Sequence, residues 1–303
     1  MKSLIKNFLV LIFLPVLILR RIYFWNQTDK LILPGAKFAT FGFTLGKKLL
    51  FNFKIAPRLI LNPVSIVRYF EFDFVESSLQ LREGIKLLDI SSPYLFGLYE
   101  TDQFDLEYCY INPDTRDLKN VNSISAKINT KGKFITQNTN ALNLNYPDNH
   151  FDRVVSISVI EHIKDDGDSM AFKEIWRVLK PNGLFSFTVP VKKHFDIEYR
   201  NRDEYHLNTE KKSAEYFFQR IYDEQNIDER LLSSISNYEI IKKKIFGSTE
   251  KEFYSEYKKR WMKFNYWETV KDPYYISKKF SYFNHVDDLP DIGVIGITIR
   301  KIK

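Results

Sequence analysis

The chain of 303 residues holds one cysteine, Cys109, and three methionines, and its longest uninterrupted apolar run, Phe8 to Leu19, is twelve residues. One cysteine excludes an internal disulfide and points to a reducing compartment. Flanked by Tyr108 and Tyr110, it reads as a small core residue rather than a nucleophile. No Cys/His cluster has zinc-ligand spacing, so no structural metal is expected. A twelve-residue run falls short of the roughly 20 apolar residues that a spanning helix needs. Acid is scarce in residues 1–70, which carry eleven Lys and Arg against Asp29 alone. The other 233 residues hold 34 basic and 37 acidic side chains, so the net charge of +7 belongs to the amino-terminal part. A mildly acidic remainder argues against a nucleic-acid groove there.

What is abundant is aromatic: 26 Phe, 18 Tyr and 4 Trp make 16% of the chain. The stretch Asn140–Val191 is the most informative. A turn cluster, Tyr146-Pro147-Asp148-Asn149, precedes the β-branched run Phe151–Ile160, which reads as a strand buried on both faces of a parallel sheet. Glu161-His162-Ile163 ends it. Met170, Phe172, Ile175, Trp176 and Leu179 then form a helical stripe, Pro181-Asn182-Gly183 stops that helix, and Leu184–Pro190 is the next buried strand. This is a β-α-β unit with polar loops at the carboxyl ends of its strands, where open α/β sheets bind ligands. Gly84–Ile90, Leu106–Ile111 and Phe134–Thr136 read as three further strands. A helix begins near Tyr94, and an amphipathic one is expected over Ala214–Leu232. Tyr238–Phe246 and Val294–Arg300 read as a closing antiparallel pair, with a helical insertion between them.

Asn140-Ala141-Leu142, Tyr146–Asp152, Ser156–His162 and Glu174-Ile175-Trp176-Arg177-Val178-Leu179-Lys180-Pro181-Asn182-Gly183, in that order and spacing, resemble the class I S-adenosylmethionine-dependent methyltransferases of the type 11 kind. The resemblance implies an α/β Rossmann-like sheet of seven strands with helices on both faces. It further implies methyl transfer from S-adenosylmethionine to an acceptor, with a cofactor-binding set of Asp89, Ser91, Ser92, Asn112, Asp114, Asn140, Ala141 and Ser156. Asp89 matches the family's acid after the first strand. The turn behind it departs from the pattern, since Ser91, Pro93 and Leu95 stand where glycines let the backbone take positive φ and approach a ligand. Either Asn112 or Asp114 takes the ribose position, and Asn140 replaces the acid that reads the adenine amine. His162 is the candidate general base, its ordinary pKa lying near neutrality; the competing reading is a Glu161-His162 pair that only locks the corner. The polar, aromatic segment Lys192–His206, with His194, Tyr199, Tyr205 and His206, is placed to cover the acceptor. Asp152, at the opposite end of its strand, is expected to serve folding rather than chemistry.

Residues 1–69 are expected to form a basic, apolar arm and 70–303 the methyltransferase domain, with the insertion at about 249–271. Three readings suit residues 1–25. One is a secretory signal, against which no small-residue cleavage site follows the apolar run. Another is a helix that merely packs on the body as an apolar collar. The third, preferred, is an in-plane anchor on an anionic membrane, with Arg20, Arg21 and Trp25 at the boundary. The expected protein is a cytoplasmic methyltransferase, peripheral on the inner face of a membrane, methylating an oxygen on a glycan, lipid or lipid-linked small molecule. The alternative is an inactive relative that keeps the fold as a membrane-side scaffold. A nicotinamide or nucleotide-sugar enzyme is disfavoured because no Gly-x-Gly-x-x-Gly turn follows Asp89.

Overall fold

The computed structural model describes every residue except Met1, Phe51, Phe53, Lys54, residues 204–214 and Asn265; for 2–11 and 262–264 it describes the backbone alone. In chain order the elements begin with helices α1 (Lys2–Gln27), α2 (Ala36–Lys48), α3 (Ala56–Leu61) and α4 (Arg68–Leu79). There follow β1 (Lys86–Ile90), α5 (Leu95–Gln103), β2 (Glu107–Ile111), α6 (Thr115–Ser125), β3 (Lys133–Gln137) and β4 (Phe151–Ile157). A 3-10 turn, Ile160–His162, leads to α7 (Gly167–Val178), β5 (Leu179–Val191), β6 (Asp196–Arg200), β7 (Tyr216–Ile221) and the short α8 (Glu224–Asn226). The chain closes with β8 (Tyr238–Ser248), α9 (Phe253–Phe264), α10 (Tyr266–Thr269), α11 (Asp272–Lys279), β9 (Phe280–Phe283) and β10 (Gly293–Lys301).

Eight strands form one sheet in the order β3-β2-β1-β4-β5-β10-β8-β9, and β6 and β7 pair separately. Strands β1 to β5 run parallel, and β10 returns antiparallel to β5. The expected seven strands become eight because β9 adds an edge. The overall class stands: an α/β fold with a large, mostly parallel sheet accompanied by helices.

The backbone divides into two compact units: residues 1–73 with 246–282, and residues 74–245 with 283–303. The expected boundary at 69/70 therefore falls inside α4, and the insertion belongs with the amino-terminal residues. The cause in the helical unit is apolar and polar together. Leu17 of α1 packs with Leu61 and Val270, joined by Leu14, Ile18, Phe24 and Tyr266. Arg20 lies over the Trp267 ring and donates from Nε to the Trp267 carbonyl at 3.1 Å. Fully buried Asp272 accepts from Asn62 Nδ2 at 3.1 Å, the Ile66 amide at 3.0 Å and the Tyr257 hydroxyl at 2.5 Å. That draws the 62–66 segment onto α9 and α11.

In the sheet unit, β1, β2 and β4 are buried along nearly their whole length, as apolar strands covered on both faces must be. Their core joins Leu88, Val154, Phe172, Ile175, Phe185, Phe187 and Ile297. Gly97 is required in α5, since a Cβ there would stand 2.4 Å from the Tyr108 ring and 2.8 Å from Phe134. Asp152 accepts from the Lys86 amide at 2.9 Å and Lys180 Nζ at 2.8 Å, pinning the starts of β1 and β5 to β4. Two secondary-structure expectations also fail. Helix α7 already ends at Val178, so Pro181-Asn182-Gly183 lies within β5 rather than stopping the helix. The helix predicted over Ala214–Leu232 is, in its first described half, strand β7, followed by the short helical turns of 224–234. Phe217, Phe218, Ile221 and Tyr222 suit helical spacing, but a short apolar run has no decisive period, and pairing with β6 decides it.

Candidate active site

The parallel strands end along one edge, and hydrogen bonds lace those ends together. Beyond β1, Ser91 donates its amide and its hydroxyl to the Ile111 carbonyl at the end of β2, at 3.0 and 2.8 Å. At the last residue of β4, the Ile157 amide donates to Ser92 Oγ at 3.0 Å. Beyond β3, Asn138 Nδ2 donates to the carbonyls of Asn112 and Pro113 at 3.0 and 3.1 Å. The structure thus gathers Ser91, Ser92 and Asn112 at one rim.

Two of these corners take left-handed backbone without glycine: Ser91 at φ 53° and Ser158, after β4, at φ 46°. Left-handed backbone costs an L-residue about 1–2 kcal/mol, so these bends, made without glycine, are held at a cost. Asp89 is fully buried beneath the first of them. It accepts from the Tyr108 hydroxyl at 2.5 Å and the Ser92 amide at 2.8 Å. Burial pushes its pKa up to about 6, against the opposing pull of the Ser92 and Tyr108 bonds.

The remaining expected residues are placed as follows. Asn112 is spent on its own loop, donating from Nδ2 to Asp117 and the Tyr110 hydroxyl and accepting from the Asp114 amide. Asp114 caps α6 and pairs with Arg116 at 2.9 Å, whose bonds hold its carboxyl below the usual range. Asn140 is exposed and accepts from the Leu142 amide at 3.0 Å, while Ala141 is buried beside it in the sheet's core. Ser156 is fully buried and its hydroxyl has no partner. His194 is exposed on the way to β6, and Tyr199 stands on β6 with its ring 6.3 Å from Phe217. Tyr205 and His206 lie outside the described residues. Cys109 is buried, and burial raises its thiol to about 11.

His162 occupies the turn after β4, near-buried Glu161 beside it at 3.7 Å from Nε2. Its Nδ1 lies 2.7 Å from the Phe218 carbonyl of β7. A carbonyl only accepts, so the proton sits on Nδ1 and the basic lone pair of the neutral ring is on Nε2. Sequence reasoning missed what holds this turn. Arg220, two residues along β7, donates to the carbonyls of Ile163, at 2.6 Å, and Asp165. Buried Asp168 receives Arg230 through both oxygens at 2.8 and 2.9 Å and the Tyr222 hydroxyl at 2.9 Å. The only available signal was an arginine inside the apolar string Phe217–Tyr222, since a buried guanidinium requires partners.

Residues 98–187 match the family model described as methyltransferase domain. The match begins after the altered turn of Ser91–Leu95. That match covers 90 of the 303 residues and marks a likeness to methyltransferase domains. Among solved structures, YcgJ from Bacillus subtilis is similar over 78% of this chain and 99% of its own, at 14% identity and TM-score 0.50. A Bacillus halodurans protein designated a methyltransferase matches 77% of this chain and 100% of its own, at 12% identity and TM-score 0.50. Haemonchus contortus phosphoethanolamine N-methyltransferase 2, solved with S-adenosyl-L-methionine, matches over 79% of this chain and 54% of its own, at 16% identity and TM-score 0.49. No curated protein sequence matches the chain significantly. Two features of this rim suit a cofactor such as S-adenosylmethionine: Ser91 turns the backbone left-handed, and Ser156 offers an orphaned hydroxyl near the end of β4. Among the described residues no group of His, Cys, Asp and Glu suits a metal ion.

Proposed function

We propose that the protein methylates an oxygen of a small glycan, lipid or lipid-linked acceptor, with His162 as general base. The observation that supports this reading is the donation of His162 Nδ1–H to the Phe218 carbonyl, which leaves the basic lone pair of the neutral ring on Nε2, in the turn after β4. S-adenosylmethionine, when bound, supplies an electrophilic methyl group. The turn of Asp89, Ser91 and Ser92 with Ser156 would hold its amino-acid end, Asn112 or Asp114 its ribose, and Asn140 with Ala141 its adenine. His162 Nε2 takes the acceptor hydroxyl's proton as the oxygen gains the methyl group, and Glu161 at 3.7 Å favours the imidazolium that results. His194 before β6 and Tyr199 on it would border the acceptor. Orientation and exclusion of water account for the rest of the catalysis.

The acceptor's chemistry is read from the amino-terminal residues. Their basic excess and exposed apolar side chains favour a protein peripheral on the inner face of a membrane. Among the described residues no helix is long and apolar enough to cross one.

A second reading, a scaffold that no longer binds cofactor, is favoured by the closed Asp89–Tyr108–Ser92 network, which leaves the family's acid fully buried. Titration of the purified protein with S-adenosylhomocysteine separates the two. A saturable heat and a raised Tm are expected; neither at millimolar ligand replaces the enzyme by the scaffold. With labelled S-adenosylmethionine and a lipid extract as acceptor source, His162→Gln should lower kcat about a hundredfold or more with KM little changed.

A further inference from the structure

Helix α1 is apolar on two faces, and the helical unit covers one of them. Leu14, Leu17, Ile18, Arg21 and Phe24 follow helical spacing, and of these Leu17 is buried against Leu61 and Val270. Arg21 is 9% exposed, its guanidinium 4.4 Å from the Phe43 ring. On the opposite side Ile12, Val16, Leu19 and Tyr23 recur at four, three and four residues and are 51–68% exposed, with Phe13 and Ile22 flanking them. The turn after α1 adds Leu31, 98% exposed, and Ile32. A helix apolar all round is ordinarily covered all round, and an exposed apolar strip of this extent marks a docking surface.

We propose that this outer strip of α1 is an in-plane docking surface for an anionic lipid bilayer. The proposal deepens the membrane part of the reading above and stands on α1 alone, independently of methyl transfer. Charge names the occupant. Lys30, Lys37, Lys47 and Lys48 of the same unit are exposed, and Asp29 is the single acid among residues 1–70. A second copy of the same unit would bring a second excess of positive charge; anionic headgroups neutralise it. The inner face fixes the orientation. Because α1 packs along one side on protein and buries Arg21 there, lipid reaches the other side only, and the helix lies in the interface rather than across it. The expected role of Arg20 and Arg21 at the headgroups changes accordingly. Arg20 is half-buried against Trp267 and Arg21 is buried against Phe43, whereas Lys30, Lys37, Lys47 and Lys48 are exposed, so the electrostatic contribution falls to the lysines.

Flotation of the full chain tests this with vesicles of phosphatidylcholine alone and of phosphatidylcholine with 30–40% phosphatidylglycerol (~1:2 by mole). The protein should float with the anionic vesicles at low salt and several-fold less with neutral ones. Salt should weaken binding without abolishing it, because the inserted apolar part is unscreened. Val16→Glu with Leu19→Glu should cut binding at least tenfold while the Tm and the response to S-adenosylhomocysteine stay as in the parent. Lys47→Glu with Lys48→Glu should remove much of the salt-sensitive part. Parent protein that stays at the bottom of the gradient, or an outer-face variant that floats as well as the parent, overturns the proposal. So does a parent that sediments as a dimer which the outer-face variant dissolves, with no lipid bound by either. Retained flotation without any S-adenosylhomocysteine response would instead count against the proposed activity alone.

Discussion

At the scale of single residues, the rim of the sheet is held by side chains working against their own preferences. Asp89 is the clearest. Its folded pKa is raised to about 6 by burial, from an unfolded value near 4. The protonated form is therefore the one favoured by folding. Its contribution to stability is fully present below about pH 4 and is lost as pH rises through 6. Relative to Asp89→Asn, the parent should lose roughly 2 kcal/mol between pH 4 and 7, measurable by urea unfolding across that range. A difference independent of pH would mean that Tyr108 and Ser92 stabilise the carboxylate fully despite its burial. Ser91 offers a second test. Ser91→Gly relieves a left-handed cost of about 1–2 kcal/mol and gives up a hydroxyl bond of about 1 kcal/mol, so stability should move by less than about 1 kcal/mol. Removing the Cβ opens the backbone where the family uses glycine. Tighter S-adenosylhomocysteine binding in this variant would support the enzyme; an unresponsive variant favours the scaffold.

Among the elements, β7 matters most, and it was misread as helix. Strands β1, β2, β4 and β5 were legible because burial on both faces writes a continuous apolar run. The turn Glu161-His162 was legible because polar residues interrupt that run at the ligand edge. β7 was not: its apolar residues satisfy two periods, and the choice is made by β6 and by the turn it supports. Likewise Arg220 Nε lies 3.5 Å from the Asp168 carboxylate, yet the two stand 52 residues apart in sequence, and no local pattern links them. Their placement makes a prediction about the element rather than the residue. Arg220→Gln should loosen the 163–165 carbonyls and let the His162 ring leave the Phe218 carbonyl. Nitrogen-15 NMR of labelled histidine should then show the Nδ1–H tautomer of the parent giving way to a mixture. An unchanged tautomer would mean that Phe218 alone orients the ring. Where methyl transfer is measurable, kcat should fall about tenfold or more, part of the 10²–10⁴ that a positioned base provides, with KM little affected.

On the scale of the whole molecule, the sequence looks like an arm followed by an enzyme, whereas the fold makes a helical unit from two distant segments. Nothing local could show this, because Leu17 and Val270 are 253 residues apart and meet only through the packing of α1. The arrangement predicts how damage spreads. Leu17 is 6% exposed, and Leu17→Ala should cost about 2–5 kcal/mol as a buried leucine truncated in a packed site. The loss belongs to one cooperative unit, so proteolysis should open residues 1–73 and 246–282 together, at the same denaturant concentration, before residues 74–245 yield. Leu19→Ala, on the exposed side of the same helix, should stay within about 0.5 kcal/mol of the parent. If Leu17→Ala exposed cleavage sites in residues 1–73 alone, leaving 246–282 protected, the amino-terminal segment would be an independent arm after all.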